Sequence, residues 1–577
     1  MSFEQAGILL LLVGMLVVFA LDRLRMEVVA LSGLGLAALA GLLPAPAIFS
    51  GLSSPAFVTV VELLLIAQVL GRSGLFSGLA GRISAAGWST RSTSAILCAV
   101  TAVISVFMNN IAALALMIPV VFSVCRATAL DPRRVLMPVG FAALLGGLCS
   151  LSGTPANLIV SQQLGERTGR AFAFFDFAYA GVPVMLAGVI VTVFWAGRAL
   201  RDGGAGMPGH PGQMRRRVVT EAVIPPGSAF VGTAVAALPA RVHALIRNDR
   251  HVLRRPEAQL EVGDILLLEA ESTRVSDWIA EGMLARLPFS APLTGRPERV
   301  EAVIMPESTL VGSRLRSLES FHSRGIRILA VAAQTPRIEG RFDDLQLSIG
   351  DILYLEGDRD AIDEAVEETE LLSLWPTPQR PEDGGTSRLP LGVFAAGVVA
   401  CILGAAPPLA FGGVVLVLAA AGSLNLRRGL AELDWPILIM LAAMIPLGQA
   451  VETTGAAAVL ADGLMHALPG EHPLVMIGAV LLLAVVVTPF VNNASTAIVL
   501  APIAMNIAGA AALPPEPFLI AVALGASIDF LTPVGHHNNT IVMGIAGYRF
   551  ADFLRIGWPA TLAACATAIL AIPFFWM

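Results

Sequence analysis

Two apolar stretches decide the fold of this chain. Residues 108–119 read MNNIAALALMIP, and residues 491–502 read VNNASTAIVLAP. In each stretch an Asn-Asn pair interrupts a long apolar run, and a proline follows nine residues after the second asparagine. A backbone break at membrane depth is tolerated only where it lines a cavity or is buried in protein. The two stretches therefore predict two re-entrant hairpins, over about 93–125 and 473–509, with the asparagines at their tips.

The composition around these stretches is that of a membrane protein. The chain has 577 residues, of which 56% are hydrophobic and 14% are charged, and its formal net charge is −6. A soluble protein carries charge on nearer a quarter of its residues. The lack of lysine and of a net basic charge argues against nucleic-acid binding. All five cysteines lie in apolar stretches, which argues against a secreted disulfide scaffold.

The charged residues divide the chain into two membrane halves and an insert. Residues 203–387 hold 47 of the 80 Arg, Asp and Glu residues. A span needs about 20 residues, so each half is long enough for five spans besides its hairpin. The predicted units are a membrane repeat at 1–202, insert modules at 213–290 and 297–372, and a second membrane repeat at 386–577.

Arginine placement predicts the orientation in the membrane. Cytoplasmic loops are enriched in positive charge. With the N-terminus outside, these arginines face the cytoplasm: Arg23, Arg25, Arg72, Arg82, Arg91, Arg126, Arg133, Arg134, Arg198, Arg201, Arg427, Arg428, Arg549 and Arg555. Arg167 and Arg170 are the main exception. We therefore expect a multi-pass protein of the plasma membrane (the inner membrane of a bacterium), with both termini outside and the insert cytoplasmic.

Matched motifs recur in the same order in the two halves. Residues 154–157 read TPAN, and their predicted counterpart is the Thr-Pro at 532–533, with Asn-Asn following at 538–539. The pattern DF-x3-G-x-P occurs at 176–183 and again at 552–559. Inverted repeats with broken, polar segments at matching positions are typical of secondary transporters. We predict an all-α polytopic membrane protein, an inverted repeat of five spans plus one re-entrant hairpin per half, with a cytoplasmic α/β insert.

The insert also contains a repeat. The sequence EAVIP at 221–225 resembles EAVIMP at 301–306, and Gly-Asp-Ile-Leu follows at 263–266 and again at 350–353. Alternating apolar strands lie between these motifs. The pattern predicts two small α/β modules of about 75 residues each.

The polar residues at the breaks have chemistry that suits ion binding. An amide offers an oxygen to a cation and N–H donors to an anion, and the helix end after each tip favours an anion. One membrane asparagine is more often interhelical glue, but four at matched breaks favour a site. The predicted substrate-binding residues are Asn109, Asn110, Thr154, Asn157, Asn492, Asn493, Thr532, Pro533, His537 and Asn538.

Three further polar positions allow two interpretations each. Asp529, just before the second break, could bind a proton or cation or could cap a helix. His536 and His537 could contact the substrate and respond to pH, or could be satisfied loop histidines. For Glu62, inside the third span, a structural pairing is favoured over a role in transport.

At these residues the chain resembles the divalent-anion/sodium symporters of the solute carrier family 13 type, in the ion transporter superfamily. That family carries Ser-Asn-Thr at each hairpin tip, where this chain reads Asn-Asn-Ile at 109–111 and Asn-Asn-Ala at 492–494. The resemblance implies sodium as coupling ion, an elevator mechanism, a homodimer and no organic cofactor. The sodium ligands that it implies are Ser105, Asn110, Gly153, Thr488, Asn493 and Leu531.

The insert modules resemble TrkA-C (RCK-C) domains, which regulate ion channels and transporters. The resemblance implies a small regulatory ligand bound between modules. The basic residues Arg247, Arg250, Arg254 and Arg255 could contact an anionic ligand or could form an ordinary solvated loop, and the second interpretation is favoured.

The function predicted from these features is sodium-coupled uptake of a divalent anion, with sulfate slightly ahead of a dicarboxylate. Its partners would be that anion, membrane lipid and a second copy of the chain. The alternative is an ion channel or ion exchanger gated by the RCK-C modules, although the sequence contains no K⁺-channel filter. An enzyme is not expected, because the sequence shows no P-loop, no Ser-His-Asp arrangement and no metal cluster.

Overall fold

The structure, a computed structural model, describes residues 2–21, 26–72, 79–128, 130–199, 217–248, 250–252, 257–287, 297–306, 308–333, 341–374, 389–431, 433, 435–459, 463, 472–491, 493–533 and 535–577. Some predicted features lie outside these residues. They are Asn492, the joints at 203–212 and 375–386, Arg23, Arg25, Arg201, Arg254 and Arg255.

The described parts of the membrane halves are helical. The first half contains α1 (Phe3–Leu21), α2 (Met26–Leu39), α3 (Pro55–Arg72), α4 (Leu79–Ala85), α5 (Thr90–Phe107), α6 (Asn110–Thr128), α7 (Arg133–Gly147), α8 (Pro155–Thr168) and α9 (Ala178–Ala199).

The insert contributes three described helices, and the second half follows it. The insert helices are α10 (Ser272–Ala280), α11 (Glu319–Ser323) and α12 (Arg359–Glu368). The helices of the second half are α13 (Leu389–Ile402), α14 (Pro407–Ala420), α15 (Leu426–Ala431), α16 (Trp435–Thr453), α17 (Pro473–Val491), α18 (Asn493–Ala510), α19 (Glu516–Ser527), α20 (His537–Ala546) and α21 (Phe550–Trp576).

The break at the first tip lies where the sequence predicts it, and the helices on both sides of it extend beyond the predicted hairpin. The first break separates α5 from α6 at Met108 and Asn109. α5 starts three residues before the predicted hairpin, because the Ser89 hydroxyl caps it by accepting from Ser92 N at 3.2 Å. α5 and α6 have 18 and 19 residues, so each is long and apolar enough to cross a membrane.

The apolar helices of the described residues are numerous enough for a multi-pass protein. Six of them, including both arms of each break, are long and apolar enough to cross a membrane. Seven shorter apolar helices of 10–17 residues accompany them.

Two central helices, α7 and α19, each end at an unwound segment. We call these two unwound segments the interior breaks. In α7 every residue from Val135 to Gly147 is buried, and in α19 every residue from Pro517 to Ser527 is buried. A helix that is buried on all sides lies inside the bundle. Since the chain unwinds directly after each of these helices, the two unwound segments lie in the interior of the protein.

Long helices at the end of each half hold these unwound segments by close backbone contact. A Cβ atom on Gly181 of α9 would lie 2.4 Å from the Leu148 carbonyl oxygen. A Cβ atom on Gly557 of α21 would lie 1.9 Å from the Phe530 carbonyl oxygen. Only glycine allows this approach, which explains the glycine in both DF-x3-G-x-P motifs.

The insert forms one antiparallel sheet across both predicted modules. Its described strands are β1 (Arg217–Val223), β2 (Arg241–Arg247), β3 (Arg250–Val252), β4 (Ile265–Glu271), β5 (Glu298–Ile304), β6 (Arg327–Ala332), β7 (Ile352–Gly357) and β8 (Leu371–Ser373). The strand order is β3-β2-β4-β1-β6-β7-β5-β8. The modules join edge to edge, where Val219 of β1 pairs with Val331 of β6.

The two modules share local structure at their Gly-Asp turns. Gly263 and Gly350 have φ of +89° and +82°, a conformation that favours glycine. The aspartates that follow are buried and close the turns, with Asp264 Oδ2 accepting from Glu261 N at 2.8 Å and Asp351 Oδ2 accepting from the equivalent N–H at 2.9 Å. The three main strands of each module also lie in the same order in the sheet. This order is β2-β4-β1 in the first module and β6-β7-β5 in the second.

Candidate functional site

Each interior break ends at a capped helix. Thr154 precedes α8 in an extended conformation, and its Oγ1 accepts from Ala156 N at 3.4 Å. His536 precedes α20 in an extended conformation, and its Nδ1 accepts from Asn538 N at 3.1 Å. Both new helices therefore direct their N-termini, with their free N–H groups, toward the unwound segment.

The same side-chain bridge spans both breaks. Asn157 Nδ2 donates to the carbonyl groups ten and seven residues earlier, those of Gly147 at 3.2 Å and Ser150 at 2.7 Å. Asn539 Nδ2 donates to the carbonyl groups at the same two offsets, at 2.8 and 2.9 Å. Each asparagine thereby pairs two carbonyl groups that the unwound backbone leaves without helical partners.

This geometry corrects the predicted register between the halves. Aligning the two bridging asparagines pairs Thr154 with His536, whereas the shared Thr-Pro sequence predicts Thr532. Thr532 instead matches Ser150, since both supply a bridged carbonyl. By this bridging geometry, the Thr-Pro sequences of the two halves are four residues out of register.

The corrected register also changes the predicted backbone ligand of the second half. It pairs Gly153 with Gly535 and Gly147 with Asp529. Leu531, predicted as the counterpart of Gly153, is half-buried and is not the equivalent residue.

The first tip gathers the predicted sodium ligands of the first half. The Asn110 side-chain amide lies 3.0 Å from Ser105 Oγ, 3.2 Å from the Gly153 carbonyl oxygen and 3.0 Å from the Ala143 carbonyl oxygen. With its nitrogen turned toward them, the amide donates to all three, and with its oxygen turned toward them, four oxygen atoms lie close together. The second arrangement is a set of neutral oxygens of the kind that transporters offer to sodium.

Two glycines leave the space that the Asn110 amide and its neighbours need. A Cβ atom on Gly147 would lie 2.2 Å from Asn110 Oδ1 and 2.9 Å from the Gly153 carbonyl oxygen. A Cβ atom on Gly153 would lie 2.4 Å from the Gly147 carbonyl oxygen. The lack of side chains at these two positions leaves room for the Asn110 amide.

The second tip is arranged differently. Asn493 Nδ2 donates to Thr154 Oγ1 at 3.2 Å, and its Oδ1 accepts from Ala494 N at 2.9 Å. Thr488 Oγ1 lies instead against Ala484 O at 2.8 Å and Thr496 Oγ1 at 3.3 Å. Among the hydrogen bonds between described residues, none joins Asn493 to Thr488 or Leu531.

Among the described residues, two hydrogen bonds join the halves at the site. Asn493, at the second tip, donates to Thr154 in the first half's break, as described above. Asn538, in the second half's capped helix, donates through Nδ2 to the Asn110 backbone carbonyl at 2.9 Å. Each tip therefore contacts the broken segment of the opposite half, which brings four predicted site residues into one region.

The remaining predicted site residues make local hydrogen bonds or lie at the start of a helix. Asn109 Oδ1 caps α6 by accepting from Ala112 N at 2.7 Å. Thr532 Oγ1 accepts from Gly535 N at 3.3 Å, and the Pro533 carbonyl accepts from Thr540 Oγ1 at 2.7 Å. His537 is the first residue of α20 and is half-buried.

Sequence reasoning missed two contributors near the first tip. The Ala143 carbonyl carries no side-chain signal, so the sequence offers no way to find it. Ser150 donates through Oγ to the Val106 carbonyl and accepts from Gly153 N at 3.2 Å, which fixes the Gly153 peptide beside Asn110. Its position seven residues before Asn157 matches that of Thr532 before Asn539, and this spacing could have identified it.

Two predictions outside the tips can also be compared with the structure. Glu62 Oε2 is buried and has no hydrogen-bond partner among the described residues, so the favoured structural pairing is not seen there. In the insert, Arg247 is engaged by acidic groups, with its Nε 2.7 Å from Asp264 Oδ1 and its NH1 beside Glu261 Oε1.

The sequence profile of one transporter family covers most of the chain. The profile of CitMHS, described as citrate transporter, matches residues 16–515 and 470–577. The matched ranges include both tips and both interior breaks.

Curated relatives are transporters as well. The chain is 28% identical to "Uncharacterized transporter YfbS" of Escherichia coli (strain K12) over 99% of both chains. It is 28% identical to "Uncharacterized transporter sll0640" of Synechocystis sp. (strain ATCC 27184 / PCC 6803 / Kazusa) over 97% of this chain and 96% of the relative. It is 25% identical to "Sodium/sulfate cotransporter 2" of Chlamydomonas reinhardtii over 53% of this chain and 38% of the relative.

Proposed function

Because the chain belongs to the citrate transporter family, within the ion transporter superfamily, we propose that this membrane transporter takes up a divalent anion together with sodium. The anion is sulfate or a dicarboxylate. Sulfate is favoured, since several distant relatives, at 24–25% identity, are named sodium/sulfate cotransporters.

The observation that carries this proposal is the pair of contacts between tips and breaks of opposite halves. Asn493 bonds to Thr154, and Asn538 bonds to the Asn110 carbonyl, so the polar groups of both halves converge inside an apolar bundle. Polar groups in such a place are costly unless they pair or bind a ligand. A binding site at the contact of two matched, broken segments is the usual arrangement in secondary transporters.

The chemistry of the converging groups suits a weakly held anion beside a sodium ion. Amide nitrogens, hydroxyls and free N–H groups at the starts of α8 and α20 are neutral donors that bind an anion without the full charge of an arginine. The oxygens of Ser105, Gly153 and Ala143 around Asn110 suit a cation. A transporter needs the anion to bind and then to leave, which favours neutral donors for it.

The finer parts of the proposal concern the moving unit. We propose that the halves are inverted repeats and that the hairpins and broken segments move together past a scaffold that includes α2, α3, α14 and α16. The cross-half hydrogen bonds support a single moving unit, since they tie each tip to the other half's break. The proposal includes a homodimer, in which the scaffolds of two copies contact each other.

The insert is proposed to be a pair of cytoplasmic RCK-C-like modules that regulate transport. The repeated turns at Gly263 and Gly350 and the shared strand order support two related modules. A regulatory ligand acts only if it binds one transport state better than the other.

The main experiment is uptake by purified protein in proteoliposomes. Labelled sulfate and a labelled dicarboxylate are each supplied with an inward gradient of sodium, potassium or protons. We expect saturable uptake of one anion that requires the sodium gradient. Flux that does not saturate and follows only the membrane potential would contradict the proposal and favour a channel.

A second experiment tests the insert. Deleting residues 213–372 and joining the ends with a flexible linker is expected to leave basal uptake measurable and to change its response to cytosolic conditions. A folded deletion variant without any transport would show that the insert belongs to the transport machinery itself.

A further inference from the structure

The two halves differ at one pair of matched positions beside their breaks. The bridging asparagines match Gly147 with Asp529, since each lies ten residues before its asparagine. In the first half the missing side chain of Gly147 leaves the space that the Asn110 amide fills. In the second half this position carries a carboxylate.

The Asp529 carboxylate occupies the corresponding space in the second half. A Cβ atom on Gly535, the counterpart of Gly153, would lie 1.9 Å from Asp529 Oδ2 and 2.8 Å from Oδ1. The carboxylate therefore lies against the Gly535 backbone, as the Asn110 amide lies against that of Gly153. Asn493, the counterpart of Asn110, is turned away toward Thr154 and leaves this space to Asp529.

The Asp529 carboxylate is buried and has no ion-pair partner among the described residues. The residue is 2% exposed, neither carboxylate oxygen makes a full-geometry hydrogen bond to a described residue, and the Thr532 side chain is near enough to interact with it. No described cationic side chain therefore neutralises its charge. An unpaired buried carboxylate is strongly unfavourable, so such groups pair with a cation or lose their charge.

We propose that Asp529 is a carboxylate ligand of the second sodium site, beside the Gly535 backbone. This inference rests on the proposed sodium coupling and deepens it. The first site would be built from neutral oxygens around Asn110, whereas the second would carry a formal negative charge. The second site should then bind its sodium ion more tightly, because a carboxylate attracts a cation more strongly than an amide oxygen does in a poorly solvated site.

Sodium-dependent thermal stabilisation of the full-length purified protein tests this assignment without any transport. Unfolding temperature is measured against sodium concentration, with choline replacing sodium at constant ionic strength. In the wild type, sodium is expected to raise the unfolding temperature, because it would bind the folded protein. In Asp529→Asn, the half-saturating sodium concentration is expected to rise about tenfold. The same variant should unfold no earlier than wild type without sodium, because it removes an unpaired buried charge.

Two further variants keep the test decisive. Gly535→Ala should give the same sodium defect with the charge retained, because the added Cβ displaces the carboxylate. Glu62→Gln is the matched control, since Glu62 is another membrane carboxylate with a buried, unpartnered oxygen but packs against Gly412 of α14. Its sodium response should equal that of wild type.

The outcomes separate this inference from the proposed function. A normal sodium titration in Asp529→Asn, beside a sodium-responsive wild type, overturns the assignment of Asp529 alone. The unfolding temperature can also be measured against pH. If Asp529→Asn titrates normally with sodium but loses a pH dependence that the wild type shows, Asp529 binds a proton instead, and the assignment is overturned. A wild type that responds to sodium in neither unfolding nor uptake overturns sodium coupling and this inference with it.

Discussion

The first and second tips of this transporter have similar sequences and different geometries. Asn110 turns its amide into its own half, toward Ser105, Ala143 and Gly153, whereas Asn493 turns its amide across to Thr154 in the other half. This difference coincides with a difference in the residue ten positions before the bridging asparagine. That residue is Gly147 in the first half and Asp529 in the second. Matched sequences therefore give two breaks with the same backbone bridge and with unlike polar contents.

The largest effect is expected when Gly153, which lies beside the first tip, is replaced by alanine. Gly153→Ala would place a Cβ atom 2.4 Å from the Gly147 carbonyl oxygen and 2.6 Å from its Cα, so rigid backbone must move. We expect loss of uptake and a destabilisation of about 1–3 kcal/mol, as for other overpacked interiors. The measurements are proteoliposome uptake and the unfolding temperature.

The control for that substitution is Gly413→Ala on α14. Gly413 is exposed, and an added Cβ there would meet nothing within 4 Å. It should leave both uptake and stability unchanged. Normal uptake by Gly153→Ala would show that the Gly147–Gly153 contact has no part in the site.

A finer test compares the two tip asparagines with each other. Asn110→Ala removes the amide from the oxygen set of the first half, and we expect the sodium concentration for half-maximal uptake to rise about tenfold. Asn493→Ala removes the bond to Thr154 instead, and we expect a weaker apparent affinity for the anion with little change for sodium. Both are measured by uptake at varied sodium and varied anion. Equal sodium effects in the two variants would contradict the difference between the tips.

How far the sequence predicts this arrangement depends on the range of the interaction. The break at Asn109 and the capped start of α8 after Thr154 are local, and polar residues in an apolar run are enough to predict them. The match between Thr154 and His536 is not local, because it is set by where Asn157 and Asn539 donate. A threonine and a histidine that cap helices in the same way share no sequence identity.

The contacts between the halves were even less accessible from sequence. Nothing in the sequence around Asn493 indicates that its nitrogen reaches Thr154, 339 residues away. The joining of the insert's modules through β1 and β6 is likewise a tertiary contact between strand edges. For Asp529 the sequence left two roles open, and its burial without a described ion-pair partner is visible only in three dimensions.

The insert offers the same comparison of related units, with a smaller expected effect. Glu269 on β4 accepts from Arg217 Nε at 3.1 Å and lies 2.9 Å from His243 Nε2. Glu356 on β7 lies 2.9 Å from Arg299 Nε and 3.0 Å from Arg286 NH1. Both carboxylates follow the Gly-Asp turn by five residues, so the modules bury an acid at the same position among different bases.

The ion pairs of Glu356 with Arg299 and Arg286 should make the stability of the insert depend on pH. Burial by itself would raise the pKa of the Glu356 carboxyl, but the Arg299 and Arg286 guanidiniums outweigh burial and hold that pKa below its ordinary value. A lowered carboxyl pKa contributes stability above the ordinary pKa of glutamate, and this contribution is lost as pH falls through the lowered pKa. Glu356→Gln should therefore lower the insert's unfolding temperature at pH 7 and have a smaller effect at pH 4, as measured by calorimetry of the full chain.

The matched substitution sharpens the comparison between modules. Glu269→Gln leaves a hydrogen-bonding group near His243 and Arg217 and is expected to destabilise the insert less than Glu356→Gln at pH 7. The reason is that Glu356 binds two arginines at 3.0 Å or closer, whereas Glu269 has one arginine at comparable distance. A larger loss in Glu269→Gln would show that the arginines around Glu356 contribute little.

The hydrogen bond from Asn538 to the Asn110 carbonyl has a consequence for how the protein is made. The two residues are 428 positions apart. At a synthesis rate of 5–20 residues per second, the ribosome needs roughly 20 to 90 seconds to reach the donor after it has made the acceptor. During that interval the first half resides in the bilayer with an incomplete interior, while the insert is still being translated. The chain's own length thus imposes a delay in biogenesis, during which the first tip lacks this hydrogen-bond donor.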